Sequence, residues 1–240
     1  MSIKLILVIN LLYIVCHVLC VQLTCNKSSE RTADTMFGHM VGYGNNSRRF
    51  PENDDEMQKY CSAQLADLKV LENYTKRCKK GLPKQFFAIM MYTLKSNVNR
   101  MCKRNSKKGM EFMVGSKCFN KATFELEKCH NVFIDHLQGV LTVDDKLKIP
   151  HTCCEYYSFR QCLTERAKNV DICGDKDLQT LDEFVESTTS NALNFFCGDY
   201  ADDSDKCDKL GKPPKKRSNL KRTKSISITI AEIFQSFPEQ

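Results

Sequence analysis

A chain of 240 residues with 42% hydrophobic residues, 27% charged residues and 14 cysteines is neither of low complexity nor short of the apolar surface that a core needs. Its net charge of +7 is unevenly spread: residues 211–240 carry seven Lys or Arg against Glu232 and Glu239, and residues 5–210 come to +1. Basicity therefore belongs to the tail, which speaks against nucleic-acid binding by the folded part.

Residues 1–20 have the layout of a secretory signal peptide. Lys4 supplies the positive start, residues 5–15 are almost unbroken apolar sequence, and Val18 and Cys20 are compact residues before a cut placed after Cys20. No later stretch approaches the roughly 20 apolar residues of a transmembrane helix. The expected location is secreted and extracellular, with no transmembrane span. Removal of the signal takes Cys16 and Cys20 with it. The remaining set is Cys25, Cys61, Cys78, Cys102, Cys118, Cys129, Cys153, Cys154, Cys162, Cys173, Cys197 and Cys207, an even twelve. In an oxidising compartment such a set reads as a disulfide framework of up to six bridges. Twelve cysteines allow on the order of ten thousand pairings, so connectivity stays open. N-glycosylation sequons at Asn26, Asn45 and Asn73 agree with passage through the secretory pathway.

Residues 21–53 are polar, and Gly38, Gly42 and Gly44 interrupt any periodicity, which predicts an irregular N-terminal arm tethered by Cys25. From Asp54 the pattern turns helical. Met57, Cys61, Leu65, Leu68 and Leu71 recur every three or four residues between acidic Asp54 and Asp55 and basic Lys76 and Arg77, with Gly81 and Pro83 as the stop. A second helix carries Phe87, Met90, Met91, Leu94, Val98 and Met101 and ends near Gly109. A third runs from about Lys117 through Phe119, Ala122, Leu126, Cys129, Phe133 and Leu137 to Gly139. Thr142 with Asp145 resembles a capping box that opens a short fourth helix before Pro150. A fifth covers residues 153–167. A sixth runs from Asp177 through Leu181, Val185, Ala192 and Phe196 to a cap at Gly198. No part of the body alternates with period two. Residues 54–210 thus read as an all-α, disulfide-stapled helical bundle of about five to six helices, with cysteines on or beside helices.

Residues 211–240 form a basic tail. Pro213, Pro214 and the cations up to Lys224 predict disorder, and residues 225–230 alternate as a strand would, with Ile226, Ile228 and Ile230 on one side. Lys216 with Arg217, and Lys221 with Arg222, resemble dibasic processing sites.

Candidate chemistry is sparse. Cys153, Cys154 and Cys162 invite comparison with secreted phospholipases, but Glu155, Tyr156 and Tyr157 fill the positions where those enzymes need His-Asp, and His151 has no carboxylate as its neighbour. Cys129 and His130 adjoin, yet no Cys-x-x-Cys or His-x-x-x-His pair exists to hold a metal ion. With an even cysteine count, no nucleophile elbow and no P-loop, the chain is expected to be no enzyme and to carry no cofactor. His130 and His136 fall on different faces of a helix. Lys95, Arg100, Lys103, Arg104, Lys107, Lys108, Lys117, Lys121 and Lys128 outnumber Glu111, Glu125 and Glu127, so a basic helical surface can meet an anionic surface. The Met and Phe of the second helix read as core, and such residues can also enclose an apolar cavity.

The run Cys153-Cys154-Glu155-Tyr156-Tyr157-Ser158-Phe159-Arg160-Gln161-Cys162, then Cys173-Gly174, Asn194-Phe195-Phe196-Cys197 and Ser204-Asp205-Lys206-Cys207, resembles a group of secreted arthropod proteins that includes haemolymph glycoproteins, cysteine-rich helical domains of unassigned function. A more distant similarity is to a nematode family of secreted, cysteine-rich helical domains. The resemblance covers residues 153–210 best and implies no catalytic residues. The expectation is a non-catalytic extracellular protein of body fluid or glandular secretion that binds a small apolar ligand or another protein. Two alternatives are a venom or salivary effector acting on a host target, and a precursor that releases a C-terminal peptide at the dibasic sites.

Overall fold

The computed structural model describes residues 24–42, 48–198, 200, 205–215 and 225–237. The signal segment, Asn45 and the dibasic candidates Lys216, Arg217, Lys221 and Arg222 lie outside the described residues. Eight α-helices and no strand are present among the described residues: α1 Lys27–Val41, α2 Asp54–Cys78, α3 Gly81–Met101, α4 Lys107–Val140, α5 Asp145–Lys168, α6 Asp175–Cys197, α7 Lys206–Leu210 and α8 Ile226–Gln235. The fold is all-α and stapled by disulfides, as the periodicity and cysteine count predict. Among the described residues no helix is long and apolar enough to cross a membrane.

Within the N-terminal arm, expected to be irregular, Lys27–Val41 form a helix, a first correction, while residues 48–53 are a loop. Asn26 Oδ1 accepts from the Ser28 and Ser29 amides, and Ser29 Oγ accepts from the Asn26 amide, which satisfies the orphan donors of a helix start. Ala33, Phe37, Met40 and Val41 then fall on one face of α1 and are buried. Gly38 costs about 1 kcal/mol relative to Ala inside a helix, less than burial of Phe37 alone returns. The real stop is Gly42, at φ +75°, where a Cβ would stand 2.7 Å from the Phe50 ring. Phe50 is pinned in turn by Asn120 of α4, whose side chain accepts from the Phe50 amide (2.9 Å) and donates to its carbonyl (3.0 Å).

α2 begins at Asp54 as expected, with Asn53 capping the Glu56 amide at 2.9 Å. In α3 the expected positions Phe87, Met90, Met91, Leu94, Val98 and Met101 are all buried, but the helix ends at Met101. Gly109 is no terminator. It lies in the first turn of α4, where an added Cβ would meet the Met101 carbonyl oxygen at 2.4 Å, so it permits close passage of two backbones. α4 accordingly starts ten residues before the expected Lys117, capped by Ser106 on the Gly109 amide. The expected fourth and fifth helices are one, α5, which continues through Pro150. Thr142 makes no capping box: its hydroxyl donates to the Gly139 carbonyl.

The C-terminal segment is the second large correction. Residues 225–230 are neither strand nor disordered tail. Ser225 Oγ accepts from the Ile228 amide (3.0 Å), and α8 buries Ile226, Thr229, Ala231, Ile233 and Phe234. A strand without a partner leaves its amides and carbonyls unpaired, whereas a helix pairs them internally. Ahead of it, buried Pro213 and the adjoining Pro214 cross α4 at Gly139.

Six disulfides fix the body: Cys25–Cys78, Cys61–Cys102, Cys118–Cys173, Cys129–Cys162, Cys153–Cys197 and Cys154–Cys207. Every one of α1 to α7 carries or adjoins a bridged cysteine. The core has two aromatic centres. Phe50, Phe112, Phe119 and Phe184 pack edge-on or tilted between the 48–53 loop, α4 and α6. Phe86, Phe196 and Phe234 meet where α3, α6 and α8 converge.

Candidate binding site beneath the C-terminal helix

That second centre borders a partly closed apolar chamber of about 50 Å³. Each wall is one helical stripe: Phe37 and Val41 of α1, Phe86 and Met90 of α3, Ile149, Thr152 and Tyr156 of α5, Thr189, Leu193 and Phe196 of α6, and Ile226, Ile230 and Phe234 of α8, with Phe133 of α4. Spacings of three, four, seven and eight residues put these side chains on single faces. The Cys153–Cys197 bridge ties the α5 and α6 walls together. Phe234 lies 4.7 Å from Phe86 and 5.1 Å from Phe196, ring centre to ring centre.

Few polar groups reach the chamber. The Tyr156 hydroxyl is hydrogen-bonded to Thr189 Oγ1, which also donates to the Val185 carbonyl at 3.2 Å, and burial pushes the phenol pKa up. Thr152 Oγ1 donates to the Lys148 carbonyl at 2.8 Å, so these hydroxyls all have partners and the chamber offers mainly dispersion contact to whatever fills it.

The two ends of the α8 seat are polar and opposite in charge. At the helix N-terminus, Asp34 of α1 accepts from both Ser225 and Ser227, the latter at 2.8 Å. At its C-terminus, the buried Lys148 ammonium donates to Ser236 Oγ and to Asp145, each at 2.7 Å, and stands 5.7 Å from the Phe237 ring centre. A carboxylate at the positive end of the helix dipole and an ammonium at the negative end both favour a helix in this direction. Sequence reasoning missed Asp34, Lys148, Ser225, Ser227 and Ser236. The one signal present was the serine before Ile226, Ile230 and Phe234 at intervals of four, an N-cap followed by a helical stripe.

The residues singled out earlier are scattered. The twelve cysteines are consumed by their bridges. Asn26 and Asn73 are exposed, Asn26 as the cap of α1 and Asn73 on α2 beside buried Thr75. His130 is buried and burial pushes its pKa down to about 4, while His136 is half-exposed on another face of α4. His136 bonds to buried Glu155 of α5, and that hydrogen bond raises its pKa. His151 has a carboxylate after all, one helical turn away at Glu155, but His136 engages that group. Burial lowers the His151 pKa. Among the described residues no three His, Cys, Asp or Glu gather in a metal-holding group.

Of the cations expected to make a basic helical surface, Lys117 and Lys121 are exposed on α4, as are Met110, Val114 and Phe124, whereas Lys95 pairs with Glu72, Lys107 with Glu111 and Lys128 with Glu125. No family model, curated protein or solved structure matches the chain.

Proposed function

We propose that this is a secreted, non-catalytic extracellular protein whose binding site is the apolar chamber beneath α8. The carrying observation is that chamber: five helices point largely apolar stripes at one partly closed space, and the Tyr156, Thr189 and Thr152 hydroxyls that line it already have hydrogen-bond partners. A concave space lined by apolar side chains, with its few polar groups already bonded, suits an apolar ligand. The six disulfides and the resemblance of residues 153–210 to haemolymph glycoproteins support residence in body fluid or a glandular secretion. The chamber of about 50 Å³ is well below the roughly 300–1,000 Å³ of a ligand pocket. A larger ligand therefore enters only as a wall moves. The peptide-precursor reading is the less favoured, because release of a C-terminal peptide would require extracting Ile226, Ile233 and Phe234 from the core.

Titration of the secreted, glycosylated protein with an apolar fluorophore that brightens on leaving water tests the reading. The expected result is saturable binding at one site, abolished by Leu193→Trp, which fills the chamber. Absence of saturable binding, or binding indifferent to that substitution, would remove the chamber from consideration.

A further inference from the structure

The outer face of a surface helix is ordinarily polar, and α4 departs from that rule. Its core side is supplied by Phe112, Phe119, Leu126 and Phe133, all buried. On the other side Met110, Val114, Phe124 and Val132 are each more than half exposed, Val114 at 65% and Phe124 at 69%. Lys117, Lys121 and Lys128 stand among them. At about 100° of turn and 1.5 Å of rise per residue, these positions share an arc of about 80° along about 33 Å of helix. Among the described residues Lys117 and Lys121 have no carboxylate partner, while Lys128 pairs with Glu125 and stands over the Phe124 ring, 4.5 Å from its centre. Beyond Val132 the stripe ends at Asp135 and at Gly139, which the 213–214 segment crosses with exposed Lys212 and Lys215 on either side. Residues 107–140 hold no sequon, so no glycan is anchored on this helix.

We infer that the outer face of α4 is a peripheral docking surface for an anionic lipid bilayer, with Val114 and Phe124 entering the boundary between headgroups and acyl chains and the three lysines meeting lipid phosphates and carboxylates. The interleaving of the two residue types decides the occupant. A polyanionic sugar would neutralise the lysines but leave four apolar side chains in water. A partner helix laid along the stripe would bury Lys117, Lys121 and Lys128 at seam positions three and four residues apart, where unpaired ammonium groups are costly. A bilayer surface accepts both: apolar side chains insert to shallow depth, and lysines lay their stems along the apolar layer while their heads reach the charged one. Anionic lipid adds attraction for every cation within a Debye length of the surface. The contact is peripheral, since among the described residues no helix is long and apolar enough to cross the membrane. It is also separate from the chamber beneath α8, because Phe133, the α4 residue that lines the chamber, belongs to the core side of the helix.

The test is co-sedimentation of the full, glycosylated chain with phosphatidylcholine vesicles that contain or lack phosphatidylserine. Binding is expected to require phosphatidylserine and to weaken as salt rises. Lys117→Gln and Lys121→Gln are each expected to weaken it about fivefold, and Val114→Ser and Phe124→Ser several-fold. Lys176→Gln, which removes the same charge from an exposed position on α6, is expected to leave it unchanged. All these side chains are exposed, so the substitutions do not touch the core. The chain contains no tryptophan, so Phe124→Trp supplies a single reporter, whose emission is expected to shift to shorter wavelength and to resist an aqueous quencher on the anionic vesicles. No sedimentation with those vesicles, or sedimentation with the reporter's emission unshifted, overturns the inference. Binding that responds to the lysine substitutions but not to Val114→Ser or Phe124→Ser assigns the face to a polyanion such as a sulfated polysaccharide and overturns the bilayer. Concentration-dependent self-association that Phe124→Ser abolishes, without vesicle binding, assigns the face to a second copy and overturns it as well.

Discussion

The body and the C-terminal helix are built from the same physics but held by different means. Between Cys25 and Cys207 every helix is tied to a neighbour by a bridge as well as by packing. α8 buries Ile226, Ile233 and Phe234 within the same core as the body's residues, yet no disulfide holds it. Cross-links act mainly on the unfolded chain, by limiting how far it can open. A helix outside them can leave and return without opening the rest, so equal burial does not mean equal stability.

Paired truncations of buried phenylalanines offer the largest test of that difference. Phe119 of α4 is fully buried at the centre of the stapled core, and Phe119→Ala is expected to cost about 3–5 kcal/mol of global stability. Phe234→Ala removes a side chain of the same size at 3% exposure, but its global cost is capped by the docking energy of α8, because the helix can detach first. Thermal or denaturant unfolding should therefore show a much larger loss for Phe119→Ala, and Phe234→Ala should instead appear as faster local hydrogen exchange in α8. Equal losses in global stability would show that α8 unfolds with the body and would erase the distinction.

What the sequence made legible follows the same division. The apolar stripes of α2 and α3 are long and bounded by charged turns, so Leu68, Leu71, Met90, Leu94 and Val98 could be placed in the core by period alone. The cysteine set was legible by count, but its pairing depends on which helices pack together, and that is decided by contacts remote in sequence. The two ends were misread because local cues there compete with a tertiary one. Gly38 and Gly42 suggested loop where a cap and four buried side chains make α1. The alternation of Ile226, Ile228 and Ile230 suggested a strand because the stripe was cut off before Ile233 and Phe234. The α8 seat was illegible for a deeper reason: Asp34, Lys148 and Ser236 come from three distant segments, and none has a motif of its own.

The second test lies inside the body and is smaller. His130 is buried with its pKa pushed down to about 4, so its contribution is intact above the ordinary value near 6.5 and is lost as pH falls toward 4. A shift of that size corresponds to up to about 3 kcal/mol. His136 has the opposite sign. Its pKa is raised by Glu155, so its contribution is present below about 6.5 and is lost as pH rises through the raised value. Melting temperature measured from pH 4 to pH 8 should rise through the acid limb. His130→Gln is expected to flatten that limb, and His136→Gln to flatten the fall on the neutral side. Since both residues sit on α4 within the cross-linked body, protection of α8 amides should track neither limb closely.

The smallest effect is the most specific to the comparison. A Cβ on Gly139 would stand 2.0 Å from the Pro214 carbonyl oxygen, a backbone atom that can escape only if the 213–214 segment lifts off α4. Gly139→Ala otherwise suits α4, where alanine gains about 1 kcal/mol in helix propensity over glycine. The two contributions act on different parts of the molecule. The body is expected to melt within a few degrees of the unaltered protein, while the path that leads the chain from Cys207 to α8 loses its crossing point. Hydrogen exchange should then show α8 opening more often, with α4 and α5 protected as before. Unchanged protection of α8 would mean that the crossing at Gly139 has no part in seating the C-terminal helix, and that the side-chain contacts at Asp34, Lys148 and the chamber hold it alone.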